Sequence, residues 1–218
     1  MAGVALELQK RLLSQKLGSV TISLIAMTAL SDDGEHDSPQ ILANIKEAQS
    51  GSSFAYGRIV ERYQQTIASQ MRRFSRDLRT CEELTHDVFV EAYTSLHSFR
   101  FGSPFLHWLR RIAVRVGYRF WKSKNRETLI VSISDKQFFE IEDHSSDLRS
   151  ASEAAEIVHH LLSRLTPADR LVLTVIYLDG CSIKEAAYRC GWTVTGTKLR
   201  LFRARRKMVK LLEDGQHE

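Results

Sequence analysis

From residue 39 onwards, apolar residues recur at three- and four-residue spacing, the period of a helix with one buried face. Ile41, Leu42, Ile45 and Ala48 predict a first helix, beginning at Pro39 and broken by Gly51-Ser52-Ser53. A second, from about Phe54, carries Ile59, Val60, Tyr63, Ile67, Met71 and Phe74; a third, from near Cys81, carries Leu84, Val88, Phe89, Ala92, Tyr93 and Leu96. Phe101-Gly102-Ser103-Pro104 interrupts the pattern. A fourth helix is then expected from about Phe105 to Lys124, with Leu106, Leu109, Ile112, Ala113 and Val116 facing inward.

Residues 128–150 hold no sustained helical period, and their acids Asp135, Glu140, Glu142, Asp143 and Asp147 outnumber the bases Lys136 and Arg149. Such a segment predicts an acidic linker between two domains. Leu129, Ile130, Val131, Ile133 and Phe138-Phe139 leave docking of that linker open as an alternative to a plain spacer. After it, Ala154, Ile157, Val158, Leu161, Leu162 and Leu165 form another amphipathic pattern. Thr166-Pro167 with Asp169 is a helix-start signal, and Gly180 fits the left-handed position that ends a helix. Ser182 with Glu185 suggests a further capping box; Ala186 and Ala187 permit close packing, and Gly191 closes this short helix. Thr193 caps a last, long helix whose inner face is Leu201, Ala204, Met208 and Leu211. A short helix, a glycine turn and a longer basic helix describe a helix-turn-helix. The expected fold is therefore all-α: an N-terminal extension (1–38), a helical domain (39–127), the linker (128–150) and a helix-turn-helix domain (151–214).

Charge sharpens this picture. The formal net charge of the 218-residue chain is only +5, yet its bases are sorted into blocks. Arg110, Arg111, Arg115, Arg119, Lys122, Lys124 and Arg126 form one, and Lys198, Arg200, Arg203, Arg205, Arg206, Lys207 and Lys210 another, each without an intervening acid. A cationic stripe attracts a polyanion by releasing its counterions, whatever the overall charge. Trp108, Tyr118, Phe120, Trp121 and Phe202 lie among these cations, and ring faces can stack on unpaired bases. Trp108 and Trp121 also admit a core role. On the last helix, Lys198, Leu199, Phe202 and Arg203 share the face opposite Leu201 and Ala204, the placement that reads base edges in a major groove; Arg200, Arg205 and Arg206 flank it as phosphate contacts.

Other chemistries find little support. There is no glycine-rich phosphate loop, HExxH or GxSxG motif, so binding rather than catalysis is expected. Cys81, Cys181 and Cys190 are too few and too scattered for a disulfide framework, and neither they nor the adjacent His159 and His160 have metal-ligand spacing. No cofactor or metal and a reducing, cytoplasmic setting are expected. Basic residues followed by the apolar run 17–30 superficially resemble a signal peptide, but polar interruptions and the lack of a clean cleavage site favour a tail, or a translation start at Met27.

The runs EELTHDVFV (82–90) and FLHWLRRIA (105–113) resemble the second conserved region of bacterial sigma factors, most closely the extracytoplasmic-function (ECF) group. LTPADR (165–170), YLDGCS (177–182) and KLRLFRAR (198–205) resemble the fourth region, in the matching order, over about residues 41–212. The resemblance implies a dissociable RNA polymerase subunit that directs the core enzyme, through its clamp and flap, to promoter DNA. By motif position it implies clamp binding by Glu83, His86, Asp87 and Glu91. Strand opening at the −10 element would fall to the loop with Phe101, Gly102, Ser103 and Phe105. Arg111, Arg115, Arg119 and Lys122 would sit on the −10 helix, and Lys198, Leu199, Arg200, Phe202, Arg203, Arg205 and Arg206 at the −35 element. The family allows an anti-sigma factor as a further partner, and its linker runs in the RNA exit path. Three departures stand out. Arg115 replaces a common Asn, His86 replaces the usual Gln, and Thr195-Gly196-Thr197 displaces the usual Gly-Thr pair by one residue. A polymerase-independent helix-turn-helix regulator is the alternative reading, but it has no need of an acidic helix beside a cationic, aromatic one.

Overall fold

The computed structural model describes residues 37–134 and 158–214, with side chains for 37–126 and 158–213. The expected extension up to residue 36, residues 135–150 of the expected linker, and Ala154 and Ile157 lie outside the described residues. All regular structure among the described residues is helical. The helices are α1 (Pro39–Gln49), α2 (Ser53–Met71), α3 (Leu78–Ser95), α4 (Phe105–Ser134), α5 (Pro167–Leu173), α6 (Ile183–Cys190) and α7 (Val194–Asp214). A single 3₁₀ turn, Leu96–Ser98, follows α3, and residues 158–163 are also helical. Contacts gather the described residues into two compact units, one containing α1–α4 with residues 183–199, the other residues 158–182 with 200–214.

In the first of these, α1, α2 and α3 each begin on a side-chain cap that satisfies a backbone N–H otherwise left without a partner. Ser38 caps α1 at the Ile41 N–H, Ser52 caps α2 at Ala55, and Asp77 caps α3 at Thr80 at 2.7 Å. The Asp77 cap starts α3 three residues before Cys81, earlier than its apolar stripe alone predicts. Thr80 hydrogen bonds, first through its hydroxyl and then its backbone, hold the Asp77 carboxyl below the usual range. The apolar stripes meet as expected: Ile45, Ile59, Ile67, Met71, Val88, Leu96, Phe105 and Leu109 are fully buried.

Helix α4 runs to Ser134, well past Lys124 and into the segment predicted to be linker. No proline or glycine interrupts residues 118–134, and extending a formed helix needs no new nucleus. Its seam with the rest of the unit is tight at Gly117, where a Cβ would fall inside the Phe74 ring. Phe74 in turn packs on Trp121, whose indole N–H donates to the Phe74 carbonyl at 2.8 Å. Trp121 is thereby buried, so it is a core residue and not a base-stacking one.

In the other unit, Thr166 caps α5 as predicted, and the helix is prolonged by a π-turn, Thr174–Leu178, which apolar periodicity does not reveal. Gly180 ends it at φ 67°, the left-handed region open to glycine. Asp169 is buried and receives the Lys207 ammonium of α7 at 2.5 Å. The Arg170 guanidinium lies 3.0 Å from His159 Nε2, within hydrogen-bond reach. Burial lowers the Arg170 pKa to about 10.

Candidate nucleic-acid interface

Helix α6 ends at Gly191, φ 70°, with the Trp192 N–H returning to the Ala187 carbonyl at 2.8 Å. Thr193 then caps α7: its hydroxyl accepts from the Gly196 N–H at 3.1 Å, while Thr197, fully buried, donates to the Thr193 carbonyl at 3.0 Å. Three residues of turn between two helices give the expected helix-turn-helix connection. Leu201 and Ala204 are buried, and Lys198, Leu199, Phe202 and Arg203 are exposed on the opposite face. Leu199 and Phe202 are about half exposed, at 49% and 58%, which leaves apolar surface open beside the cations. Arg205 and Arg206 are exposed and rest over the Tyr177 and Phe202 rings, at 5.3 and 5.9 Å; Arg200 is half-buried.

The loop before α4 is built on rings. Phe99 meets Phe101, Phe105 and Trp108 at centroid distances of 5.0, 5.3 and 5.6 Å, and Tyr63 joins Phe105 at 5.6 Å. Phe105 is fully buried, so the sequence-based expectation that it contacts DNA gives way to an anchoring role beneath the loop. Phe101 remains 39% exposed and takes φ 56°, a left-handed conformation that costs a side-chain-bearing residue about 1–2 kcal/mol. The Phe99 ring beside it and the Lys46 ammonium 5.9 Å above its face offset that cost. Gly102 is exposed and Ser103 half-buried.

Both ends of this loop are tied to the chain ahead of α2. Gln49 donates from Nε2 to the Leu96 and Phe99 carbonyls, each at 3.0 Å. Asp37 accepts the Phe105 N–H at 2.7 Å and the Tyr63 hydroxyl at 3.4 Å. Asp37, Lys46 and Gln49 were absent from the sequence-based site. Asp37 falls in an acidic stretch that reads as a tail, and nothing within a few residues of it signals a partner 68 positions away.

On α4, Arg111, Arg115, Arg119 and Lys122 are exposed on one stripe, as their spacing predicts, and the Arg111 guanidinium lies 5.0 Å over the Tyr188 ring. Along α3, Glu83, His86 and Asp87 are exposed on an outward face. Glu91 departs from them. It is half-buried at the α3–α4 seam, with Oε1 on the Arg115 guanidinium and Oε2 on that of Arg119. Beneath this face, Tyr56 donates to the Phe89 carbonyl at 2.5 Å and packs on Tyr93; burial and then Tyr93 push its pKa up. Burial likewise raises that of the Cys81 thiol, which donates to the Ser75 carbonyl. No group of three or more metal-ligating side chains occurs among the described residues, and none of their helices is long and apolar enough to cross a membrane.

Comparisons with known proteins match both of the stretches that carry these residues. The family described as Sigma-70 region 2 matches residues 59–127, and that described as Sigma-70, region 4 matches residues 155–208. The RNA polymerase sigma-H factor of Pseudomonas aeruginosa is 29% identical over 177 residues, covering 78% of this chain and 92% of that one. The ECF RNA polymerase sigma-E factor of Escherichia coli K12 is 30% identical over 174 residues, covering 74% and 88%. Among solved structures, that of CnrH in complex with the cytosolic domain of CnrY aligns with a TM-score of 0.52 and 26% identity, over 79% of this chain and 96% of CnrH. The sigma factor RpoE of Bartonella quintana, in complex with the anti-sigma factor NepR, shares the fold with a TM-score of 0.51 and 22% identity, over 72% and 96%. With its paired region 2 and region 4 sequences on an all-helical fold, the chain belongs to the ECF RNA polymerase sigma factors, which direct the polymerase to promoters.

Proposed function

We propose that the two exposed basic helices divide promoter recognition by the physical state of the DNA. Helix α7 enters the duplex major groove at the −35 element, Lys198, Leu199, Phe202 and Arg203 meeting base edges while Arg200, Arg205 and Arg206 hold phosphates. The Phe101–Gly102–Ser103 loop and the α4 stripe hold the opened −10 strand, the rings taking an unstacked base and the arginines tracking the backbone. The outward face of α3, with Glu83, His86 and Asp87, meets the polymerase clamp. Residues 39–127 and 151–214 form the two working domains, joined through 128–150. The protein acts in the cytoplasm by binding, without catalysing a reaction, and takes an anti-sigma factor as a further partner; RpoE of Bartonella quintana is found in complex with one, NepR.

The observation that carries this reading is the exposure of Phe101 on a strained, well-supported loop directly ahead of a cationic helix. Run-off transcription with core polymerase and genomic templates tests it. The wild-type protein should start transcripts at discrete sites, and Glu83→Lys/Asp87→Lys should abolish them and prevent co-purification with the core enzyme. A folded double variant that still co-purifies would remove α3 from the clamp interface.

A further inference from the structure

Glu91 is the described acid that touches the proposed DNA face of α4. Arg115 and Arg119 lie one turn apart, so unaided their guanidiniums would repel each other and sample many directions. Glu91 joins them, one carboxylate oxygen to each. Its side chain is only 19% exposed, whereas those of the arginines are 50% and 58% exposed. A guanidinium carries five N–H donors in a planar fork, so pairing with one oxygen leaves others directed outward. Glu91 therefore does two things at once. It fixes the direction of both forks and cancels one of their two positive charges.

By helical angle, Glu91 also stands apart from the clamp face. Taking 100° per residue, it is about 80° from Glu83 on α3, beside the buried Leu84, whereas Asp87 and His86 lie closer to Glu83 on the outward side.

Resting on the reading of α4 as the −10 helix, we infer that Glu91 is a specificity-determining positioning residue of the DNA interface and not a polymerase contact. By holding Arg115 and Arg119 in one arrangement and halving their charge, it favours a strand whose phosphates match that arrangement over any polyanion.

The test uses full-length protein and fluorescence anisotropy at low and high salt. The probes are a single-stranded non-template −10 strand from a promoter returned by run-off transcription and a scrambled strand of the same composition. Glu91→Gln, nearly isosteric but uncharged, should bind the scrambled strand about threefold or more tightly at low salt. Its log K against log salt should be steeper by about 0.7, the signature of one further cation on a single strand. The preference for the promoter strand should fall severalfold, while co-purification with core polymerase stays unchanged. Glu91→Asp, which keeps the charge, should leave scrambled-strand affinity at the wild-type level.

Unchanged affinities and salt slope in Glu91→Gln, or scrambled-strand affinity in Glu91→Asp equal to that of Glu91→Gln, would overturn the inference. So would lost polymerase binding with DNA binding intact. Arg115→Ala/Arg119→Ala separates this failure from that of the −10 reading. If the double variant keeps the full promoter preference, the helix assignment itself fails; if it loses that preference while Glu91→Gln does not, only the role of Glu91 fails.

Discussion

The carboxylate of Asp37 accepts the backbone N–H of Phe105 at 2.7 Å, so the first turn of α4 is capped by a residue 68 positions earlier in the chain. A helix N-terminus needs acceptors for its first N–H groups and favours a negative charge there. The same carboxylate also reaches the Tyr63 hydroxyl at 3.4 Å, which links the cap to the middle of α2. Together with Gln49 on the other side of the loop, it holds Phe101 in place.

Asp37→Ala should cost about 1 kcal/mol, the usual worth of a side-chain cap. It should also weaken binding of a single-stranded −10 probe, whereas Asp37→Asn, which retains an acceptor, should stay near wild type in both respects. Thermal unfolding and anisotropy on the full-length variants check the two effects. Equal DNA binding by wild type and a folded Asp37→Ala would detach the cap from loop function.

Two helical glycines should respond in opposite directions to alanine. At Gly117 the new methyl would meet the Phe74 ring, and overpacking of this kind costs about 1–3 kcal/mol. At Gly57 nothing lies within 4 Å of the added carbon, so the better helix propensity of alanine should stabilise α2 by about 0.5–1 kcal/mol. Urea midpoints of the two variants measure the contrast, and a neutral Gly117→Ala would contradict the tight packing of Phe74 on α4.

The half-buried Tyr56 phenol links stability to alkaline pH. Burial and the neighbouring Tyr93 favour its neutral form, so the folded pKa lies above the unfolded value of about 10. Its contribution is present in full below pH 10. It is lost as pH rises further, because the unfolded chain then ionises first. Tyr56→Phe should lose about 1 kcal/mol at neutral pH with the hydrogen bond to Phe89, and the gap from wild type should narrow above pH 10. Melting temperatures at pH 8, 10 and 11 report this; a gap independent of pH would contradict the shift.

On α7, Arg203→Ala should cost roughly 1–3 kcal/mol on a −35 duplex and little on a scrambled one, the behaviour of a base contact. Lys210→Ala, near the helix end, should weaken both duplexes slightly and equally, as a phosphate contact does. Electrophoretic mobility shifts with both duplexes separate the cases. Identical losses in the two variants would mean that this face does not read sequence.

The local rules of the chain were legible in its sequence. Most helix positions (not the end of α4, the start of α3 or the π-turn after α5), the Thr166 and Thr193 caps, the Gly180 and Gly191 stops and the outward face of α7 follow from residues within one or two turns of each other. Periodicity and capping act at that range, so sequence alone determined them, together with the sorted charge that points to DNA. Tertiary structure decided which aromatic residues are free and which charges are engaged. Phe101 and Phe105 lie at one loop and Trp121 among the cations of α4, yet Phe105 and Trp121 are buried because Tyr63 and Phe74 occupy the space beside them. Glu91 shares the i, i+4 spacing of Glu83 and Asp87, yet the approach of α4 turns it to Arg115 and Arg119. Asp37 lies in an acidic stretch and becomes a cap only when the fold brings Phe105 to it. Whether a ring is buried or a charge paired depends on a second element dozens of residues away, and that distance is closed only by packing.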